Sequence, residues 1–380
     1  MADGIVGRLE PLLLRLLGPE PPVRVRAWDG SETGPPGAPA FVIRDRRALR
    51  RLLWKPGEVG LVRAFVAGEL DIEGDVYAAL GALQRVLRRG DEPIALSADD
   101  KREIVRTAVM LGAVGPEPKA PPEEAGDGLM AETPAALYAM MTGDGHGTGV
   151  GRWAEAESLK AAQEADARDM LARLAPKPGE SVLELNAGFA AFSRLLAAEC
   201  PGVSVTAVSP FLAEAPPGVT LETDLPGGAF DDRRFDAVVS TAGTTQIHRL
   251  AERLVGVLRP GGRLLARQTV HRPDALPRPF TSDYVYGKEG DTPTLGEFLT
   301  LLDAVGLEVR GLTALREDYA RTLRGWAREL ASPDTGAGGP FGEGIAGEGV
   351  ARVWSLHLAT TALACENGRI GVYEVEAVLR

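Results

Sequence analysis

SVLELNAGFAAFSRLLAAECPGVSVTAVS (181–209) places two short apolar runs, SVLELN (181–186) and SVTAVS (204–209), on either side of a helical stretch. VTLET (219–223), FDAVVS (235–240) and GRLLARQTV (262–270) continue the series, each short and apolar on both faces. Strands of this kind alternating with helices give a parallel, doubly wound sheet. Between Ser209 and Val219 only PFLAEAPPG (210–218) remains. A parallel crossover normally takes at least about ten residues including its helix, so two prolines and a glycine predict a connection without a full helix.

Upstream, RWAEAESLKAAQEADARDMLARL (152–174) carries Ala and Leu at helical spacing among charges and stops before Pro176 and Pro178, which predicts an amphipathic helix. Downstream of about residue 272 the pattern becomes helix 294–305, strand LEVRGL (307–312), helix 313–330, a Gly-rich loop at 334–349, helix 351–366 and strand IGVYEVEAV (370–378). No internal repeat is present. Near the start, VRVRAW (23–28), GPPGAPA (34–40) and AFVIRD (40–45) read as strands joined by a loop. VGPEPKAPPEEAGDG (114–128) has no apolar periodicity and reads as a linker. The expected organisation is a small α/β domain at 1–112, a linker at 113–129, and a larger domain at 130–380 whose residues from about 272 to 366 cap it.

With 380 residues, 44% hydrophobic and 25% charged, the chain has the composition of a globular protein that can hold two cores. A net charge of −11 and the lack of a basic stripe exclude nucleic acid as a partner. No apolar run reaches the length of a membrane span, and MADGIVGRLE lacks the pattern of a signal peptide, so the expected compartment is the cytoplasm with at most peripheral contact at the inner membrane face. The cluster from Arg44 to Lys55 is the best basic patch; it reads either as a headgroup contact or as a solvated helix face. Cys200 and Cys365 belong to no cluster and read as buried free thiols. His146, His248, His271 and His357 form no ligand pair, so no metal is expected, and His357 reads as structural. No GxSxG elbow or Walker loop occurs.

Three stretches carry a family likeness: VGLVRAFVAGELDIEGDVYAAL (59–80), LREDYARTLRGW (315–326) and ARVWSLHLATTALACENGRIGVYEVEAV (351–378). They resemble the cyclopropane-fatty-acyl-phospholipid synthases. The resemblance implies an α/β fold: a Rossmann-like S-adenosylmethionine methyltransferase domain with a C-terminal helical cap, preceded by a smaller lipid-handling α/β domain. Where that family has DIGCGWGG after its first strand, this chain has Glu184, Leu185, Asn186, Ala187, Gly188, Phe189, Ala190 and Ala191. Only the acid and the middle glycine match. The Cβ atoms of Asn186, Ala190 and Ala191 would crowd a backbone that must approach the ligand or take positive φ. The cofactor positions that the resemblance carries over are Glu184, Gly188 and, after the third strand, Asp224.

The resembled enzymes hold a bicarbonate base with a cysteine, a glutamate, a histidine with its neighbour's backbone, and a tyrosine. The cysteine position falls in TGDGHGTGVG (142–151), at Val150 or a glycine. In TTQIH (244–248), Thr245 stands for the glutamate and Gln246 for the histidine next to it; in LARQT (265–269), Arg267 stands for the catalytic histidine and Thr269 for its apolar neighbour. Only Tyr319 is retained, as a vestigial catalytic residue. An arginine can bind an anion but cannot exchange protons near neutral pH. Change is concentrated in the pocket while the framework is kept. The resemblance therefore implies a fatty-acyl-modifying protein that is catalytically inactive or impaired and supports an active family member in a homo- or hetero-oligomer. Two alternatives stay open: an active S-adenosylmethionine-dependent methyl or methylene transferase acting on an unsaturated acyl chain of a phospholipid, with Tyr319 and Arg267 steadying an anion, or a lipid carrier.

Overall fold

The computed structural model describes residues 4–87, 98–124, 128–129, 136–137, 139, 149–209, 212–222, 234–240, 251, 254–273, 280–287, 292–331 and 347–380. Asp224, Thr245, Gln246, His146, His248, most of the 142–151 loop and most of the Gly-rich 334–349 stretch lie outside these residues. Two compact units result: Met1–Glu132 with Pro279–Lys288 and Ala346–Leu363, and Thr133–Arg278 with Glu289–Ile345 and Ala364–Arg380.

In the first unit, helix α1 (Ile5–Leu17) precedes strands β1 (Arg24–Arg26), β2 (Glu32–Thr33) and β3 (Ala40–Ile43), then helices α2 (Arg46–Trp54) and α3 (Glu58–Val66), strand β4 (Leu70–Glu73), and helices α4 (Val76–Leu87) and α5 (Ala98–Met110). The sheet order is β2-β1-β3-β4, with β1 and β3 parallel and the other pairings antiparallel. Leu9, Val25, Phe41, Ile43, Ala64 and Leu70 belong to its core. Asp45 caps α2 by accepting from the Arg47 N–H at 2.7 Å, which sets where the helix starts. Helix α8 (Thr281–Tyr286) and residues 348–363 of α11 (Glu348–Glu366) are also in this unit. There His357 is buried, edge-on to Trp354 at 5.9 Å and to Tyr286 at 5.5 Å.

Much of the basic cluster is tied down inside the unit. Arg51 is buried and bonds the Glu69 carboxylate at 2.7 and 3.2 Å, and Arg50 donates to the carbonyls of Ala113 and Val114. Asp71 on β4 accepts from Arg44 at 2.6 Å and from Arg352 at 3.2 Å. Burial alone would raise the Asp71 pKa, but the charge of Arg352 and the bonds from the Ile72 N–H, Arg44 and Arg352 outweigh it and hold the carboxyl below its ordinary 3.8. A depressed carboxyl stabilises the fold above its unfolded pKa, and that contribution is lost as pH falls through the lower folded value. Asp71→Asn is therefore expected to lose about 2 kcal/mol at pH 7, with the deficit shrinking as pH falls below 3.8 toward the lower folded value. Urea unfolding of both proteins at several pH values checks this; a deficit that does not change with pH would rule out the ion-pair account.

The second unit contains α6 (Leu159–Leu174), β5 (Ser181–Leu185), α7 (Ala191–Glu199), β6 (Ser204–Val208), β7 (Val219–Glu222), β8 (Phe235–Ser240), β9 (Leu258–His271), α9 (Leu295–Ala304), β10 (Leu307–Ala314), α10 (Arg316–Ala331) and β11 (Ile370–Leu379). Its sheet runs β10-β11-β9-β8-β5-β6-β7. The neighbours from β7 to β9 pair in parallel, and β11 is antiparallel to both β9 and β10. Alternate residues feed opposite faces. Val182, Val205 and Leu265 pack with Met170 of α6 and Phe192 of α7, while Leu183, Leu264 and Val375 pack with Phe298 and Leu302 of α9. The parallel sheet read from the sequence is present with both faces covered, and no residue of 212–218 is helical.

Two readings need correction. The helix expected over 152–174 begins at Leu159, because the Ser158 hydroxyl accepts from the Ala161 N–H and caps it there. Cys365 is fully buried, with its thiol pushed up to about 12 first by desolvation, but Cys200 is only half-buried.

Candidate functional site

The turn after β5 keeps a left-handed backbone. Asn186, Gly188 and Ala190 have φ of 52°, 55° and 56°. Glycine takes this conformation freely, and a residue with a Cβ takes it at a cost of roughly 1–2 kcal/mol, less for Asn. The turn is pinned from both sides: the Ala187 N–H donates to the Val208 carbonyl at 2.9 Å, and the Ser209 hydroxyl donates to the Gly188 carbonyl at 2.5 Å. Glu184 is 1% exposed, and its Oε2 accepts from the Ser193 N–H at 2.9 Å and from the Ser193 hydroxyl at 2.5 Å. The strand-end acid is thus bound to the first turn of α7, where the helix dipole favours an anion. The backbone of this turn has the left-handed form that suits close approach of a nucleoside-type ligand, but Asn186 and Ala191 carry Cβ atoms where the resemblance has glycine, and Ala190 is buried in the core with Met170 and Phe192. Conformation fits S-adenosylmethionine; the residue set fits it poorly.

A second cluster lies on the same sheet face. Arg267 of β9 and Glu374 of β11 are cross-strand partners. The Arg267 side chain is 1% exposed and those of Asp166 (on α6) and Glu374 are 0% exposed. Arg267 Nη1 and Nη2 donate to the two Asp166 carboxylate oxygens at 2.8 and 2.7 Å, and Nε and Nη2 donate to Glu374 Oε2 at 2.9 and 2.7 Å. Arg152 bonds Glu374 at 2.8 Å and pairs with Asp169 at 2.7 Å; Arg173 bonds Asp169 at 2.9 Å and Glu376 at 2.7 Å. Desolvation alone would lower the Arg267 pKa, but Asp166 and then Glu374 reverse the shift, and it lies above the ordinary value. Arg267 therefore stays charged with both edges of its guanidinium taken by the chain's own carboxylates. The expectation that it could steady an external anion is corrected by these bonds.

Val150, Tyr319, Leu315 and Val372 form a small apolar cluster, and Val372 is the cross-strand partner of Thr269. The positions matched to the reaction centre at Val150, Thr269 and Tyr319 are thus drawn together on one face, with Arg267 two residues along the same strand. Trp153 fastens this corner to α10: its N–H donates to Asp318 at 2.9 Å, its indole to the Thr322 hydroxyl at 2.9 Å, and the Arg321 guanidinium lies 4.8 Å from its ring centroid. Gly151 is required there, since a Cβ would meet the Ala162 methyl at 2.8 Å. On the opposite face, Gln268 is fully buried and its Oε1 has no hydrogen-bond partner among the described residues. Asp166, Glu374 and Gln268 were not singled out from the sequence. For Glu374 and Gln268 the only signal is polarity inside largely apolar strands; Asp166 sits in a charge-rich helix and has none. Among the described residues no three His, Cys, Asp or Glu side chains gather as a metal site.

The strand order, with an antiparallel β11 inserted beside β9, is that of the Rossmann-like methyltransferase fold. A cyclopropane synthase from Mycobacterium tuberculosis matches this fold with a TM-score of 0.56 at 19% identity, over 68% of this chain and 98% of that one. A mycolic acid cyclopropane synthase complexed with SAH and CTAB matches with a TM-score of 0.56 at 17% identity, over 68% and 98%. Residues 228–375 match the family model for mycolic acid cyclopropane synthetase. A probable fatty acid methyltransferase of Mycobacterium tuberculosis is 26% identical over 426 residues, covering 99% of this chain and 96% of the relative. Over residues 228–375 the chain is thus similar to the cyclopropane synthase family, within a Rossmann-like methyltransferase fold.

Proposed function

We propose that this fatty-acid-methyltransferase-like protein is catalytically silent or strongly impaired and works beside an active member of its family. The observation that carries this reading is the buried Arg267, held by Asp166 and Glu374 at the position the resemblance gives to a proton-handling histidine. A permanently charged, fully bonded guanidinium neither gives nor takes a proton near neutral pH. Tyr319 beside Val150 and Val372 then serves as packing. In this reading the unit built on residues 1–112 and completed by 279–288 and 346–363 handles the acyl lipid, and the remainder of 130–380 forms the methyltransferase-like domain. The partner is an active homologue in a homo- or hetero-oligomer, and the protein is cytoplasmic, touching the inner membrane face at most peripherally. No helix among the described residues is long and apolar enough to cross a membrane.

The second reading, an active acyl methyl or methylene transferase, is favoured by one observation: the turn at 186–190 keeps positive φ at three positions. Glu184, Gly188 and Asp224 would then bind the cofactor, as the SAH in one solved relative suggests for the fold. Titration calorimetry of the purified chain with S-adenosylmethionine and S-adenosylhomocysteine separates the two readings. We expect no binding tighter than about 1 mM, a standard free energy of roughly −4 kcal/mol. Micromolar binding would overturn the silent-protein reading in favour of the enzyme.

A further inference from the structure

VGPEPKAPPEEAGDG (114–128) has the composition of a linker, yet the first unit grips its described residues closely. Arg50 of α2 donates to the carbonyls of Ala113 and Val114 at 3.1 and 3.2 Å, Trp54 to that of Gly115 at 3.0 Å, and Arg51 to that of Lys119 at 2.7 Å. A Cβ at Gly115 would meet the Arg50 guanidinium carbon at 2.7 Å. Further along, Arg63 of α3 donates from Nε and Nη2 to the two Glu124 carboxylate oxygens at 2.7 and 2.5 Å, a bidentate pair, and lies 3.7 Å from Glu117.

The same carboxylate holds α8, which the first unit takes from much later in the chain. The Tyr284 hydroxyl donates to Glu124 Oε2 at 2.9 Å. Burial first, and then the Glu124 charge, push the pKa of this hydroxyl up, so it keeps its proton at neutral pH. Gly128 is a second meeting point: its φ is 104°, and a Cβ there would collide with the Gly287 backbone nitrogen. The helix has its own anchors in the first unit, since Tyr284 and Val285 are buried and the Phe280 N–H donates to Glu58 of α3 at 3.0 Å.

The segment between these holds buries little apolar surface. Ala113 and Pro121 are buried, but Val114, Pro116, Glu117, Lys119 and Ala120 are exposed. A stretch with few apolar contacts lies at the low-stability end of a fold and opens locally, so its closure rests on the charge-assisted bonds that converge on Glu124. We infer that residues 113–128 form a strap that opens and closes on the first unit, with Glu124 as its latch, and that the latch couples the strap to α8. Coupling of this kind is reciprocal: whatever displaces α8 loosens the strap, and whatever opens the strap loosens α8. The inference goes beyond the proposed function and depends on neither cofactor nor lipid binding, so failure of the calorimetric test leaves it standing.

Limited trypsin digestion of the full chain, followed by mass spectrometry, tests it, because Lys119 is the one trypsin site within 113–128 and its carbonyl is held by Arg51. The wild-type chain should be cut there far more slowly than a free peptide of residues 113–128. Where opening and reclosing are fast, the cleavage rate follows the open fraction. Glu124→Gln should speed cleavage at Lys119 about thirtyfold, the effect of losing a charged hydrogen-bond partner, and Tyr284→Phe about fivefold, the effect of one hydrogen bond. Hydrogen exchange reads the reverse direction: the amides of 281–286 should exchange faster in Glu124→Gln, while those of β3 in the core of the same unit keep their wild-type rates. A wild-type chain cut as fast as the peptide, Tyr284→Phe without effect at Lys119, or unchanged exchange at 281–286 in Glu124→Gln would each overturn the proposal. Exchange at β3 rising in step with 281–286 would also overturn it, since that marks global unfolding in place of a latch.

Discussion

Arg267→Met is expected to destabilise the second unit by about 3–5 kcal/mol, the cost of removing one partner from a buried ion pair. The substitution leaves Asp166 and Glu374 inside the protein with both carboxylates stripped of the four hydrogen bonds they now accept from Arg267. Arg152, at 3.2 Å from Asp166 and 2.8 Å from Glu374, cannot compensate both, since it also serves Asp169. The pH dependence gives a signature that a simple packing defect lacks. The folded pKa of Arg267 is raised above the ordinary arginine value, so its stabilising contribution is fully present throughout the neutral range and does not vary between pH 5 and 8 in the wild type. In the variant, unpaired buried carboxylates have raised pKa values and take up protons as pH falls, so the deficit measured by urea unfolding should shrink between pH 7.5 and about pH 5. Replacing all three groups, Arg267→Met with Asp166→Leu and Glu374→Leu, should recover most of the loss, because well-packed apolar groups often match a buried charge cluster. A loss under about 1 kcal/mol for the single variant would sink the view that Arg267 is a structural cation.

The cluster also marks the limit of what the sequence can tell. The runs at 181–186, 204–209, 219–223, 235–240 and 262–270 were legible because a strand covered on both faces is apolar along its length. The left-handed backbone at Asn186 and Ala190 was expected only through the family likeness, which sets these residues where the resembled loop has glycine. The role of Arg267 was not legible. Its partners lie 101 and 107 residues away, and the register that sets Glu374 opposite it depends on a β11–β9 pairing that no local signal specifies. The start of α6 was missed for a related reason: Ala154, Glu155, Ala156 and Glu157 favour helix and include no Gly or Pro to stop one, and what draws 150–153 away is the docking of Trp153 onto Asp318 and Thr322. Periodicity likewise cannot say which core an amphipathic helix joins, so the placement of 279–288 and 346–363 with the first unit was beyond it.

Restoring glycine to the turn, as Asn186→Gly/Ala190→Gly/Ala191→Gly, should tighten S-adenosylhomocysteine binding by about a hundredfold, from about 1 mM to about 10 µM. The estimate assigns roughly 1.4 kcal/mol to each of the Asn186 and Ala191 Cβ atoms, in the lower part of overpacking costs, while the Ala190 methyl packs in the core and bears on folding alone. Positive φ is already present at Asn186 and Ala190, so the variant need not rebuild the turn; it removes atoms from a backbone held in the required shape by the Ala187–Val208 and Ser209–Gly188 bonds. Relief of left-handed strain at Ala190 acts separately, on folding, and should be offset by the larger backbone entropy of glycine in the unfolded chain. Ala191 begins a helix, where glycine costs about 1 kcal/mol of propensity, so the net change in stability is small or negative while binding improves. Calorimetry and thermal melts on the same samples separate the two effects. If binding tightens and methyl transfer to acyl lipid remains undetectable, the block lies at Arg267 and its carboxylates. If the variant still binds nothing, the pocket is closed elsewhere, and the shortened connection at 210–218 is the element to rebuild next.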